Sequence, residues 1–148
     1  MTTPVDPAVL EPVAARAWPA ARSRTLGDWS LYATDGHSMR INACWVAGDP
    51  GLPLEAALDE VEAWYRAQGQ RPIFKCGLGP QSVEPLALAL AARGFGCGKE
   101  TLVMTGPVGE GPADGAVSVS AALDLGFGAV FSATAQDPGD AAERLGAL

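Results

Sequence analysis

Apolar residues recur at Leu54, Ala57, Leu58, Val61, Trp64 and Tyr65, a three-and-four spacing that gathers them on one stripe of an α-helix over residues 54–68. Gly69 is placed to end that helix. Glu55, Asp59 and Glu62 fall on its other face, and Glu62 stands four residues before Arg66, the spacing of an ion pair. Burying each large side chain of the stripe stabilises by roughly 1.5–3 kcal/mol, so packing holds this helix more than propensity does. Upstream the period changes to two. Trp29, Leu31 and Ala33 alternate with Ser30 and Tyr32 over residues 28–33; past an Asp35-Gly36 turn, Met39, Ile41, Ala43 and Trp45 alternate with Arg40, Asn42 and Cys44 over residues 39–46. Alternation on both sides of a turn predicts an antiparallel hairpin with one apolar face.

Outside this block the chain is punctuated by Pro and Gly. Asp6-Pro7 reads as the cap and first residue of a helix with Val9, Leu10, Val13, Ala17 and Trp18 on one face; Pro12 offers an alternative start, and Pro19 ends it. Pro72 opens a short strand over residues 73–77. A helix over residues 83–93 follows, with Ser82 as cap, Pro85 in its first turn and Gly94 at its end, and residues 99–105 read as a further strand. Strand, helix, strand, helix, strand predicts a mixed α/β fold with at least one crossover connection. Gly and Pro dominate residues 106–115, the composition of a linker. Beyond it, Val117 and Val119 alternate with Ser118 and Ser120 as a strand, residues 125–135 form a helix diluted by Gly126 and Gly128, and Asp137-Pro138 starts a last, short helix. A tail this small cannot bury a core alone, so it either leans on the first unit or opens a second one.

A chain of 148 residues with 48% hydrophobic content fits one domain and rules out wholesale disorder. No apolar run approaches the roughly 18 residues of a membrane span, and the start of the chain lacks the pattern of a signal peptide, which makes the cytoplasm the expected location. The net charge of −7 repels phosphate backbones and anionic lipid, so neither nucleic acid nor membrane is an expected partner. It leaves room for a cationic ligand such as an amine. Cys44, Cys76 and Cys97 are too far apart for a zinc or redox motif and read as reduced, structural residues.

Ala17-Trp18-Pro19-Ala20, Leu26-Gly27-Asp28-Trp29-Ser30-Leu31, Asp35-Gly36, Arg40-Ile41-Asn42-Ala43, Gly48-Asp49-Pro50-Gly51-Leu52-Pro53-Leu54, Val61-Glu62-Ala63-Trp64-Tyr65, Ala92-Arg93-Gly94-Phe95 and Thr101-Leu102-Val103-Met104 occur in this order. In order and spacing they resemble the N-terminal half of bacterial tandem proteins of the GNAT superfamily of N-acetyltransferases, over residues 12–106. The resemblance implies a GNAT-like mixed sheet flanked by helices over residues 1–105, a linker over 106–115, and the incomplete start of a second GNAT-like unit over 116–148. It also implies acetyl transfer from acetyl-CoA to a small amine. The cofactor would be held by the C-terminal unit, in cis or on a second chain in trans, and not by this chain alone.

Enzymes of this superfamily grip the cofactor's pyrophosphate with Q/R-x-x-G-x-G/A between a strand and a helix, where backbone N–H groups and the helix N-terminus face the phosphates. Arg93-Gly94-Phe95-Gly96-Cys97-Gly98 matches the letters but follows a helix, so its first glycine is expected to be a C-cap. Where the motif belongs, residues 48–53 give two donors away to Pro50 and Pro53 and add the repelling Asp49. His37 is expected to be a solvated turn residue with no nucleophile at a recognisable spacing, and Glu55, Asp59, Glu60 and Glu62 a solvated helix face rather than a metal site. Trp29, Trp45, Trp64 and Tyr65 read as core before they read as an aromatic amine pocket. Arg40 and Asn42, polar residues on the hairpin face opposite Ile41 and Ala43, are the candidates for a substrate or domain interface, against an ordinary wet sheet face. No residue stands out as catalytic, cofactor-binding or metal-binding. The competing expectation is a free-standing, non-catalytic module that binds a small molecule or a partner chain through its sheet.

Overall fold

The computed structural model describes residues 5–77, 84–98, 100–101, 103–106, 121–122 and 124–146. They form an α/β fold in the order α1 (Pro7–Ala17), β1 (Arg22–Leu26), β2 (Trp29–Ala33), β3 (Cys44–Val46), α2 (Leu54–Ala67), β4 (Phe74–Cys76), α3 (Glu84–Ala92), α4 (Leu125–Ala133) and α5 (Pro138–Gly146). The sheet runs β1-β2-β3-β4; its first two pairings are antiparallel, and β3 pairs with β4 in parallel. A parallel pair needs a crossover, and α2 supplies it.

The helix α2 forms where its apolar stripe predicts. Ala57, Leu58, Val61 and Tyr65 are fully buried and pack on Trp29, Leu31, Ala33 and Cys44, with Leu86 of α3 closing the cluster. Tyr65 keeps its hydroxyl satisfied by donating to the Tyr32 carbonyl at 2.9 Å. The other sheet face is covered differently: Lys75 lies 5.1 Å over the Trp45 ring and pairs with Glu11 of α1 at 2.7 Å. In α1 the expected apolar face is largely open, since Val9 and Val13 are exposed, and the helix continues through Pro12.

The strands differ from expectation in four respects, the first of them a strand that was not expected. The strand β1 has no apolar alternation to announce it; it is an edge, exposed along nearly its whole length, and joins β2 through the two-residue turn Gly27-Asp28. The strand expected over residues 39–46 is reduced to Cys44–Val46, because Asn42 satisfies the backbone around it, as described below. Its phase is also reversed. Cys44 pairs with Leu31 and faces the core, whereas Trp45 pairs with Ser30 on the opposite face. The apolar residues Val103 and Met104, expected in a strand over 99–105, are exposed and outside the sheet. The cap Ser82, most of the 106–115 linker and the strand expected at Val117–Ser120 lie outside the described residues.

Gly27 has φ +54°, as the first central position of a primed hairpin turn requires, and a Cβ built there would overlap the backbone of Asp49 and Pro50. Two independent constraints thus meet at one residue. Gly27→Ala should lower stability by about 1–3 kcal/mol in urea denaturation, and Leu58→Ala, which empties a fully buried site, by about 2–5 kcal/mol. Val61→Asp buries an unpaired charge and should leave the chain without a cooperative unfolding transition.

Candidate functional site

Between β2 and β3 the backbone makes a loop instead of a ladder, and the Asn42 side chain organises it. Asn42 is 3% exposed. Its Oδ1 accepts from the Thr34 N–H at 2.6 Å and the Gly36 N–H at 3.0 Å, while its Nδ2 donates to the Ser38 carbonyl and to Glu143 Oε1, both at 2.8 Å. The amide's two acceptor and two donor capacities are all used. The wet sheet face expected for Asn42 is therefore replaced by a buried position in the contact between the loop and the tail. Arg40 is exposed in the turn and takes no part in these hydrogen bonds.

Glu143 comes from α5, more than a hundred residues away in sequence, and is 2% exposed. Oε1 accepts from the Asp35 N–H at 2.6 Å and, more weakly, from the His37 N–H at 3.4 Å; Oε2 accepts from the Ser38 N–H at 2.6 Å. With Asn42 this makes four donors on one carboxylate, three of them backbone amides pointing inward from a single turn. Burial raises its pKa, but the bonds from Ser38, Asn42, Asp35 and His37 outweigh burial and leave it below the ordinary glutamate range. No cation is needed to hold the charge.

The sequence of α5 aims Glu143. Asp137 caps the helix by accepting from the Asp140 N–H at 2.9 Å, and Pro138 takes the first helical position. Asp140, 4% exposed and one turn before Glu143, accepts from Arg144 at 2.9 and 2.8 Å and from the Gln136 N–H at 2.9 Å; the Arg144 bond is the chief reason its pKa is lowered. Arg144 also lies 5.8 Å from the Phe131 ring centre, and Phe131 meets Trp18 at 5.6 Å, so α4, α5 and the end of α1 are joined. His37 Nδ1 is 3.7 Å from the Asp137 carboxylate. A cleft of about 560 Å³ opens beside the loop, lined by Asp35, Gly36 and Asn42 together with Gln70, Arg71 and Ile73.

In the 48–53 loop, where the resemblance would place a pyrophosphate, the N–H groups of Asp49 and Gly51 are already engaged. The Asp49 N–H donates to Asp28 Oδ2 at 2.9 Å, the Gly51 N–H to Asp49 Oδ1 at 2.8 Å, and the Asp28 N–H to the Asp49 carbonyl at 2.8 Å. Donors that would face phosphate are held by carboxylates, which would also repel it. The glycines after α3 do not substitute for it. Gly94, at φ +83°, donates to the Ala91 carbonyl while Phe95 donates to the Leu90 carbonyl, a Schellman helix end that turns carbonyls toward that site.

The outer face of α2 is not merely solvated. Arg93 reaches across from the end of α3 and meets Glu55 at 2.5 Å, Asp59 at 2.7 Å and Glu62 at 2.8 Å, leaving only a 4.0 Å contact for the expected Glu62–Arg66 pair. Glu60 pairs instead with Arg24 of β1 at 2.8 Å. Among the described residues no three metal-ligating side chains come together as a metal site. Cys44 is buried, and that burial, with Cys76 adding, pushes its thiol up to about 12, so it stays protonated near neutrality. All three cysteines are free. No described helix is long and apolar enough to cross a membrane. Compared with known proteins, the chain matches no family model, no curated protein and no solved structure.

Because the folded-state pKa of Glu143 lies below its unfolded value, its stabilisation is complete above the ordinary glutamate range, near pH 4.3, and fades as pH falls through the lower folded value. Asp140 follows the same sign. An NMR pH titration of the Ser38 amide should show its transition below that of exposed glutamates. Asn42→Asp keeps an acceptor for Thr34 and Gly36 but sets a second carboxylate against Glu143. It should cost at least about 2 kcal/mol at pH 7, each buried unsatisfied group costing roughly 1–3 kcal/mol, and less at pH 4, by urea denaturation.

Proposed function

We propose that the chain is a GNAT-like scaffold unit of a cytoplasmic N-acetyltransferase, one that does not itself bind acetyl-CoA. The cofactor and the amine would be handled by a second GNAT unit, joined in cis or supplied by another chain in trans. The observation that carries the reading is the 48–51 turn, whose Asp49 and Gly51 N–H groups are taken by the carboxylates of Asp28 and Asp49. Support for the relationship itself comes from the ordered sequence resemblance and from the sheet, in which antiparallel strands lead through α2 to a parallel fourth strand. A second reading, a free-standing module that binds a partner or small molecule, draws on the cleft beside Asn42 and its neighbouring N–H groups.

Titrating acetyl-CoA into the full chain by calorimetry should give no saturable heat, and a clear one-to-one isotherm would overturn the cofactor-free reading. The reading frame downstream of residue 148 tests the other half. A frame encoding a strand, Q/R-x-x-G-x-G/A and a helix is the expected result. A stop there, with no acetyltransferase recovered as a partner of the chain, favours the free-standing module.

A further inference from the structure

The contact between loop 34–42 and Glu143 has the properties of a ligand site. Three backbone N–H groups, from Asp35, His37 and Ser38, converge with Asn42 Nδ2 on one carboxylate. The loop is braced independently of its occupant. Asn42 Oδ1 bonds Thr34 and Gly36, the Ala21 N–H donates to Thr34 Oγ1 at 3.1 Å, and Arg22 and Gln70 donate to the Thr34 carbonyl at 2.5 and 2.8 Å. A site preorganised in this way keeps its shape when the occupant leaves.

Among the described residues, the tail helices stand outside the buried apolar core: none of the residues in that cluster comes from α4 or α5. The tail meets the first unit through the Glu143 bonds, the Trp18–Phe131 ring contact and the His37–Asp137 approach. Segments secured by few apolar contacts are those that open locally at free energies well below global unfolding. The cleft lined by Asp35, Gly36 and Asn42 gives a ligand room beyond its carboxylate, and Arg71 supplies a positive charge on its wall.

We propose that residues 34–42 form a recognition site for a glutamate side chain presented by a peptide, and that α5 closes this site in cis with Glu143. A peptide in trans binds when α5 lifts away, in competition with it. Neutral donors arranged around a single carboxylate select the carboxylate over phosphate, whose third oxygen and further charge would meet Asp35 on the wall of the cleft.

The test uses the full chain carrying Glu143→Ala, with two probes: propionate, and a synthetic peptide copying residues 136–146. The readout is the NMR shifts of the Asp35, His37 and Ser38 amides and of the Asn42 side-chain amide. The peptide should shift these resonances saturably in Glu143→Ala, at least tenfold more tightly than in the wild-type chain, and replacing the peptide's own glutamate by glutamine should weaken binding at least tenfold. Equal affinity for both chains, or shifts reproduced by chloride at the same concentration, sinks the proposal. Uptake of propionate without the peptide would reassign the site to small carboxylates and overturn the peptide assignment. Should Glu143→Ala fail to fold, Glu143→Gln keeps the volume and removes the charge; the wild-type peptide should then displace the glutamine, and failure to do so counts against the site.

Discussion

A carboxylate removed from water must be met by donors, and in this protein that requirement shapes everything between β2 and β3. Asn42 uses its whole amide to bend residues 34–38 into a turn whose N–H groups face inward. The same amide then contributes the fourth donor to Glu143. One residue thus shapes the loop and shares in holding its charge, and α5 docks there because of it. Sheet pairing yields to this arrangement, with only Cys44–Val46 left in the third strand.

A second electrostatic arrangement joins α2 to the end of α3. The acids of α2 sit on one helix face and would repel one another in a chain already at net charge −7. Arg93 gathers three of them, and in doing so ties the end of α3 to α2. Hydrogen bonds donated to Glu55, then Glu62 and Asp59, raise the guanidinium pKa beyond its already high value. The residue that gives the glycine motif its deceptive first letter is thus a structural clamp.

What the sequence made legible was local. The stripe of α2 and its end at Gly69 could be read because helix period and C-cap chemistry operate over a few residues, and the Trp29, Leu31 and Ala33 face could be read because its alternation is strict. The edge strand β1 could not, since exposure on both faces leaves Arg22, Ser23, Arg24 and Thr25 without a pattern, although Gly27-Asp28 is a hairpin signal in retrospect. Residues 39–43 misled because they alternate in sequence but not in space: Ile41, Asn42 and Ala43 are buried in succession. Glu143 left no signal at all. An acid one turn after Asp140 on a short amphipathic helix looks like any solvated acid until the loop that receives it is in place, and only the Asn that follows an Asp-Gly turn hinted at that loop.

The interlock of Gly27 with Asp49 and Pro50 bears on how this unit could change over time. A hairpin tip and a crossover loop that touch backbone to backbone cannot be remodelled one at a time. Opening residues 48–53 to receive a phosphate would require removing two prolines and two carboxylates while also re-forming the β1–β2 turn that leans on them. Each intermediate sequence would have lost one structure without gaining the other. The hairpin tip and the crossover loop constrain each other, so a change in either backbone must be accommodated by both.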